Sequence, residues 1–383
     1  MRIGINGTFW NRPSTGSGQY LHALLPALVD CEPENEYVVV VPQSETAIEL
    51  SQVSPRVFLY PELVALDRWS ENLGKLWFEQ VAFRSACDRE HTDLAHVPYF
   101  ASPLYPTTRT VVTIHDLIPM ILPLYRGSRL VRLYTRLVAA AARRAGAVIA
   151  DSECSSRDIM RLLGILPSRV HVVSLAVDGR YAPVEDVSAV RRKYALPEKF
   201  LLYLGGFDQR KNVRVILEAF SLLSEFYRDG WRLVLGGVLL GRDSEFFPHP
   251  ARIAQEVGLP EDAIRYIGWV VEADKPALYS SAAAFLFPSL YEGFGLPPLE
   301  AMACGTPVIS SDTSSLPEVV GDAALQVDPG SPLAWAESIR AVLTDENRRN
   351  EMRERGKAQG SKFSWARTAK ETLAVYHSLG GGV

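Results

Sequence analysis

The chain has 383 residues, 47% of them hydrophobic and 22% charged, with a formal net charge of -4 at pH 7. One hydrophobic core usually stops growing at roughly 250 to 300 residues, so the length calls for two domains, and the composition excludes a disordered or fibrous chain. The slightly acidic balance gives no overall pull toward nucleic acid, and Cys31, Cys87, Cys154 and Cys304 form no CxxC or Cys/His cluster that would suggest a zinc site or a disulfide framework.

Met1-Arg-Ile-Gly-Ile-Asn-Gly opens directly as a strand, without the basic, apolar and small-residue regions of a secretory signal, so a cytoplasmic protein is expected. Ser14-Thr-Gly-Ser-Gly-Gln-Tyr-Leu follows before an amphipathic helix. It makes a poor dinucleotide fingerprint, because the third glycine position is Leu21 and Gly16 comes nine residues after Gly7. Apolar runs rich in β-branched residues then recur at Val38–Val41, Leu94–Val97, Thr110–Ile114, Ala147–Ala150 and Val170–Ser174. Alternating with helical patterns, they predict buried parallel strands. His96 and Tyr99 end one strand, where they either line a pocket or pack. His115 follows another, so its imidazole should emerge at the carboxyl edge of the sheet, with Asp116 orienting it or holding the loop. Arg126, Arg129, Arg132, Arg136, Arg143 and Arg144 alternate with Leu130, Leu133, Leu137 and Val138 at helical spacing, giving an apolar core-facing stripe beside a basic face. The apolar run Leu137 to Ala150 is broken by Arg143 and Arg144 and is too short to span a membrane.

Asp178-Gly179, Ala182-Pro183 and Leu196-Pro197 mark 176–199 as a linker, with the boundary near residue 185. A second unit of strands and helices follows at Phe200–Leu204, Arg232–Leu235, Ala263–Ile267, Ala284–Pro288 and Thr306–Ser310. The expected domains are 1–185 and 186–364, with 365–383 a terminal helix whose docking surface, on either domain, is open. Strands alternating with helices imply parallel sheets covered on both faces, with ligands at the carboxyl ends of the strands and the two sheets facing across a cleft.

The most informative stretch runs from Phe287 to Ile309 as strand, glycine loop, helix and strand. Gly293 and Gly295 flank Phe294, so the main-chain amides there can come close to a ligand where a Cβ would obstruct them. Pro297 or Pro298 suits the first turn of the next helix, whose unsatisfied N–H groups point back at the loop and favour an anion. Glu292 in the loop and Glu300 on the helix bracket that position. As a turn residue and a helix cap they would be unremarkable, but the surrounding glycines and prolines favour a site. Arg210 and Lys211 follow strand Phe200–Leu204 at a helix N-terminus, where cations oppose the helix dipole and are therefore expected to serve a phosphate ligand. No Asp-x-Asp metal motif occurs, and no metal or cofactor is expected.

Glu292-Gly-Phe-Gly-Leu-Pro-Pro-Leu-Glu-Ala-Met-Ala-Cys-Gly305 closely resembles the motif of the retaining glycosyltransferases of family GT4, an α/β family with the GT-B fold of two Rossmann-like domains. The resemblance extends to Thr113-Ile-His-Asp-Leu-Ile-Pro, Arg210-Lys-Asn, Gly321-Asp-Ala-Ala and Phe363-Ser-Trp. It implies that Glu300 holds the donor ribose, that Glu292 lies by the transferred sugar, and that the amides of Phe294, Gly295 and Leu296 serve hydroxyls and phosphate. It further implies that Gly16 and Gly18 approach phosphate and acceptor, that His115 contacts the donor sugar, and that Asp116, His96 and Tyr99 lie on the acceptor side. Ile267-Gly-Trp-Val270 is expected to bring backbone groups, Val270 included, to the base. Many relatives place an arginine directly after the strand glycine, where this chain has Gly206 and Phe207, so either Arg210 takes that role or it goes unfilled. The implied reaction moves a hexose from a nucleoside diphosphate sugar, GDP-mannose favoured and rhamnose next, to a saccharide or lipid-linked saccharide. For the basic face of the arginine-rich helix, plain solvation and peripheral contact with the inner membrane surface are the two alternatives. The rivals are a nucleotide-sugar 2-epimerase and a non-catalytic nucleotide-sugar-binding subunit.

Overall fold

The computed structural model describes residues 1–13, 15–43, 56–62, 70–240 and 243–380. The chain divides into two compact units, one formed by Met1–Leu175 with the segment from Ser364 onward, the other by Ala176–Phe363. Both are built on all-parallel sheets. In the first, β1 (Arg2–Asn6), β2 (Glu36–Pro42), β3 (Val57–Glu62), β4 (Leu94–Val97), β5 (Arg109–Ile114), β6 (Ala147–Ala150) and β7 (Val170–Val172) lie in the order β3-β2-β1-β4-β5-β6-β7. In the second, β8 (Lys199–Leu204), β9 (Trp231–Gly236), β10 (Ile264–Gly268), β11 (Ala284–Phe287), β12 (Val308–Ser311) and β13 (Leu325–Val327) lie in the order β10-β9-β8-β11-β12-β13.

The strands read as unbroken apolar runs because both faces of each sheet are covered. Successive side chains of β8 alternate between two cores: Leu201 and Tyr203 join Leu233, Leu235 and Trp335, while Phe200 and Leu202 join Phe285, Phe287 and Leu316. In the first unit Val38, Val40, Val112 and Ile114 share a core with Phe78 and Phe83. Strand order reverses between β1 and β4 and again between β8 and β11. At such a switch point the flanking loops part to opposite faces and open a crevice at the carboxyl ends of the strands.

Several expectations shift. Strands β3 and β13 were not foreseen: no side chain of β3 is fully buried and it contains Pro61, while β13 is three residues long with Gln326 at its centre. The division falls between Leu175 and Ala176 and not at 185, because Tyr181 is buried in the core of the second unit and Val177 packs against it. The terminal helix Trp365–Gly380 belongs to the first unit, where it packs on the helix Gly16–Cys31 and buries Thr372, Leu373 and Tyr376. Its Thr368 hydroxyl donates to the Ser174 carbonyl at 2.7 Å.

The arginine-rich helix spans Arg129–Ala142, with Ser128 as its N-cap. Its C-terminal half buries Val138, Ala139, Ala141 and Ala142. The expected core-facing stripe does not reach its first two turns, where Leu130 is 78% and Leu133 62% exposed.

Tyr376 is fully buried, and its hydroxyl lies 2.7 Å from His96 Nδ1. Tyr376→Phe leaves that nitrogen without a partner and should cost about 1–3 kcal/mol, read as a lowered urea midpoint, whereas Tyr105→Phe at a 63% exposed position should stay within about 0.5 kcal/mol.

Candidate active site

In the second unit β8 and β11 are hydrogen-bonded neighbours, so the loops leaving their carboxyl ends lie side by side. The first, Gly205 to Asn212, closes with a 3-10 turn over Gln209–Lys211 and with Asn212 in the left-handed region (φ 51°), from which the helix Val213–Ser221 starts. The turn brings Arg210 and Lys211 against the second loop. Lys211 Nζ donates to Glu292 Oε1 at 2.6 Å, and Arg210 Nη1 stands 2.7 Å from Glu292 Oε2. The same guanidinium donates to the Tyr291 carbonyl at 2.8 Å, and Leu290 N–H donates to the Arg210 carbonyl at 2.8 Å. Lys211 Nζ also lies 5.2 Å from the centre of the Phe287 ring. Burial pushes the Glu292 carboxyl up, but Lys211 and Arg210 together outweigh it and hold the group below the usual carboxylate range. Asp208 approaches Arg210 Nε at 3.7 Å. Fully ionised, the two cations and two carboxylates sum to zero. The cation pair that the sequence offers to phosphate is thus already engaged, and an incoming anion must share it with Glu292.

Backbone contacts hold the glycine loop in place. Glu292 N–H donates to Ser314 Oγ at 3.0 Å, and Ser315 Oγ donates to the Glu292 carbonyl at 2.9 Å. Gly293, Phe294 and Gly295 are buried, and Phe294 meets Phe363 edge-on at 5.8 Å. Gly295 has φ 130°, and a Cβ there would lie 2.9 Å from Leu316 Cδ2, so conformation and space both require glycine. The helix Leu296–Ala303 begins at once; Pro297 and Pro298 in its first turn carry no N–H and Leu299 N–H donates to the Gly295 carbonyl at 3.4 Å, so Leu296 supplies the amide at the helix start.

Glu300 is buried in a second polar cluster. Its Oε2 accepts from Tyr279 Oη at 2.8 Å, and burial raises its carboxyl above the usual range, with Lys275 opposing. Tyr181 joins this cluster by donating to Glu272, which pairs with Lys275 at 2.7 Å. Glu292 and Glu300 therefore face different partners, one a pair of cations, the other phenols and a lysine-glutamate pair. The Val270 side chain is core, so only its backbone is placed to meet a ligand, next to the 58% exposed Trp269.

The first unit holds its own set. Thr15 caps the helix Gly16–Cys31, its Oγ1 accepting from Gly18 N–H at 3.2 Å. A Cβ on Gly18 would fall 2.1 Å from the Arg12 carbonyl oxygen, whereas Gly16 faces open space. Ser14 lies outside the described residues. His115 emerges after β5, with Nδ1 2.7 Å from Asp151 Oδ2. Asp116 Oδ1 accepts from Ile118 N–H at 2.9 Å and so holds the loop. His96 and Tyr99 do not line a pocket. His96 is fully buried, with Nε2 2.8 Å from Thr113 Oγ1 and Nδ1 on Tyr376, and burial lowers its pKa to about 3. Tyr99 Oη donates to Thr8 Oγ1 at 2.9 Å and lies 3.2 Å from Oε1 of the buried Glu79. Among the described residues no group of three or more His, Cys, Asp or Glu is placed to hold a metal ion, and no helix is long and apolar enough to cross a membrane.

Asp151, Lys275 and Tyr279 were not singled out from sequence. Asp151 carries the same signal as His115, a polar residue directly after an apolar strand, and β5 and β6 are register neighbours with Ile114 opposite Ala150. Lys275 and Tyr279 lie on a short helix with no motif.

The pattern described as Glycosyl transferases group 1 matches residues 186–359, and that of Glycosyltransferase Family 4 matches residues 14–180. O-antigen chain mannosyltransferase B of Escherichia coli is 36% identical over 295 residues, 76% of this chain and 76% of that one. Serotype-specific mannosyltransferase WbdA of Escherichia coli is 34% identical over 276 residues, 71% of this chain but 34% of that longer one. Sucrose-phosphate synthase from Thermosynechococcus elongatus superposes with a TM-score of 0.78 at 21% identity over 99% of both chains, a likeness of fold that fits the GT-B class.

Replacing Lys211 by Met removes one of the two cations that hold Glu292 ionised. A depressed carboxyl adds stability above its unfolded pKa, near 4.3, and loses it as pH falls through the folded value. Lys211→Met should therefore lower unfolding stability by about 1.5–3 kcal/mol at pH 7 and by much less near pH 3, compared through urea midpoints at the two pH values.

Proposed function

Because the chain belongs to the glycosyltransferases of group 1 and family 4 and is a glycosyltransferase, we propose that it moves a mannosyl group from GDP-mannose to a hydroxyl of a growing cell-surface saccharide, with retained anomeric configuration. The observation that carries the site assignment is the double contact of Glu292 with Lys211 and Arg210 beside the amides of Gly293 to Leu296. The diphosphate of the donor sits against the main chain of the glycine loop, Phe294 to Leu296, sharing Lys211 and Arg210 with Glu292. As the glycosidic bond breaks, negative charge grows on the leaving phosphate, and the two cations, fixed in advance by Glu292, stabilise it without reorganising. Glu300, kept by Tyr279, takes the ribose hydroxyls. Retention by double displacement needs a carboxylate free to attack the far face of the sugar. Glu292 is committed to two cations, which favours departure and attack on one face, the leaving phosphate accepting the acceptor proton. Mannose is favoured because both mannosyltransferases above are relatives over more than two thirds of this chain.

The acceptor is a saccharide, lipid-linked in the form we favour, and the enzyme works on the cytoplasmic side of the membrane. What supports contact with an anionic bilayer is the exposed start of the helix Arg129–Ala142. There Leu130 and Leu133 project among Arg126, Arg129, Arg132 and Arg136, and residues 117–150 contain no Asp or Glu. Each arginine at such a surface adds on the order of 1 kcal/mol.

Purified protein should release GDP from GDP-mannose faster when a mannose-terminated acceptor is added, with little release from dTDP-rhamnose or UDP-sugars and no loss in EDTA. No release from any donor, absolute metal dependence, or conversion of the free nucleotide sugar without acceptor would each defeat the proposal. Glu300→Ala should raise KM for the donor, whereas Lys211→Ala should lower kcat by roughly 100- to 1,000-fold. Vesicles rich in anionic lipid should pellet with the protein and release it when Arg129, Arg132 and Arg136 are changed to Ser; equal binding to neutral vesicles would remove the charge argument.

A further inference from the structure

His115 and Asp151 leave adjacent strands at the same edge of the first sheet, their predecessors Ile114 and Ala150 being register partners. Asp151 is 1% exposed, while the His115 side chain keeps 23% of its surface. The contacts of the imidazole are unusual in kind. Nδ1 faces a carboxylate oxygen, Asp151 Oδ2, at 2.7 Å, and Nε2 faces the Pro98 carbonyl oxygen at 3.2 Å. Both partners accept and neither can donate. A neutral imidazole has one N–H and one lone pair, so one of these contacts would set lone pair against lone pair. Only the cation, with two N–H groups, satisfies both.

Asp151 supplies an independent argument. Its Oδ1 is buried with no hydrogen-bond partner, and His115 is the only ion-pair partner of Asp151 among the described residues. A carboxylate taken out of water needs a counter-charge, and the ring is what is there to provide it. His96, in the same unit, is the contrast: its nitrogens face hydroxyls of Thr113 and Tyr376, which can donate or accept, so the neutral ring is satisfied.

We infer that Asp151 is a positioning residue that keeps His115 doubly protonated, so that the Nε2–H now resting on the Pro98 carbonyl is a charged donor that can pass to an oxygen of the substrate. The ring is otherwise held by the edge of Tyr20, 5.0 Å away, and its own carbonyl accepts from Ser155 Oγ at 3.1 Å. The charged and titratable groups facing it are Asp151, Asp116, Tyr20 and His96. Burial pulls its pKa down, but Asp151, then Asp116 and the Pro98 carbonyl, raise it above the ordinary value. A fixed cation here would meet the electron-rich oxygens of an anionic sugar nucleotide without waiting for a proton. This step rests on the glycosyltransferase reading only for its kinetic consequence.

The test is an NMR titration of the His115 ring in the full chain, its signal identified by loss in His115→Gln. The ring should stay protonated at pH 7.5 in the wild-type protein and should titrate at or below about 6.5 in Asp151→Asn. The alkaline limb of kcat/KM should move down by at least about one pH unit in the same variant. A structural role for Asp151 would lower stability and leave that limb in place. The inference is overturned if the wild-type ring is neutral at pH 7, an outcome that requires neither a folded Asp151→Asn variant nor a known donor. If no donor turns over, the ring titration still decides the matter.

Discussion

Glu292 is held by two cations from a neighbouring loop, and that contact organises the second unit's site. The loops after β8 and β11 come from strands that pair in the sheet but lie far apart in the chain, and nothing in either loop alone would aim a lysine and an arginine at one carboxylate. With all three side chains only 13–14% exposed, the pair interacts in a low-dielectric setting where misplacing one partner is costly. The consequence for chemistry is preorganisation. Lys211 and Arg210 are held in position, and the glycine loop beside them is fixed by Ser314 and Ser315.

Most of the fold was legible because both sheets are covered on both faces, which writes each central strand as an apolar run: Leu94–Val97 and Ala147–Ala150 have the bounds that the sequence suggested. Strands β3 and β13 lie at sheet edges, where one side needs no apolar cover, and there the signal fades. The linker boundary moved by about ten residues because Val177 and Tyr181, which punctuation by Gly and Pro does not weigh, pack into the core of the second unit.

The site was legible where a backbone requirement and a charge coincided, as at Gly295 and Glu292, since a glycine loop beside a carboxylate has few structural reasons to exist. It was not legible where a role depends on partners from distant segments. His96 and His115 look alike in sequence, each at a strand end, yet one is sealed among hydroxyls and the other rests on a carboxylate. Nor could the sequence show that the two cations were already engaged, or that the apolar stripe of the arginine-rich helix would leave Leu130 and Leu133 uncovered. Periodicity predicts that one face differs from the other, and only packing decides how far along the helix that face is used.

In the proposed function the donor diphosphate lies on the glycine loop and the cation turn of the second unit. Hydrogen exchange of the backbone amides, measured with and without saturating GDP-mannose, tests it most directly. Protection should concentrate in Gly293 to Leu296 and in Gly205 to Asn212. Unchanged exchange in both segments, with protection elsewhere, would contradict the account.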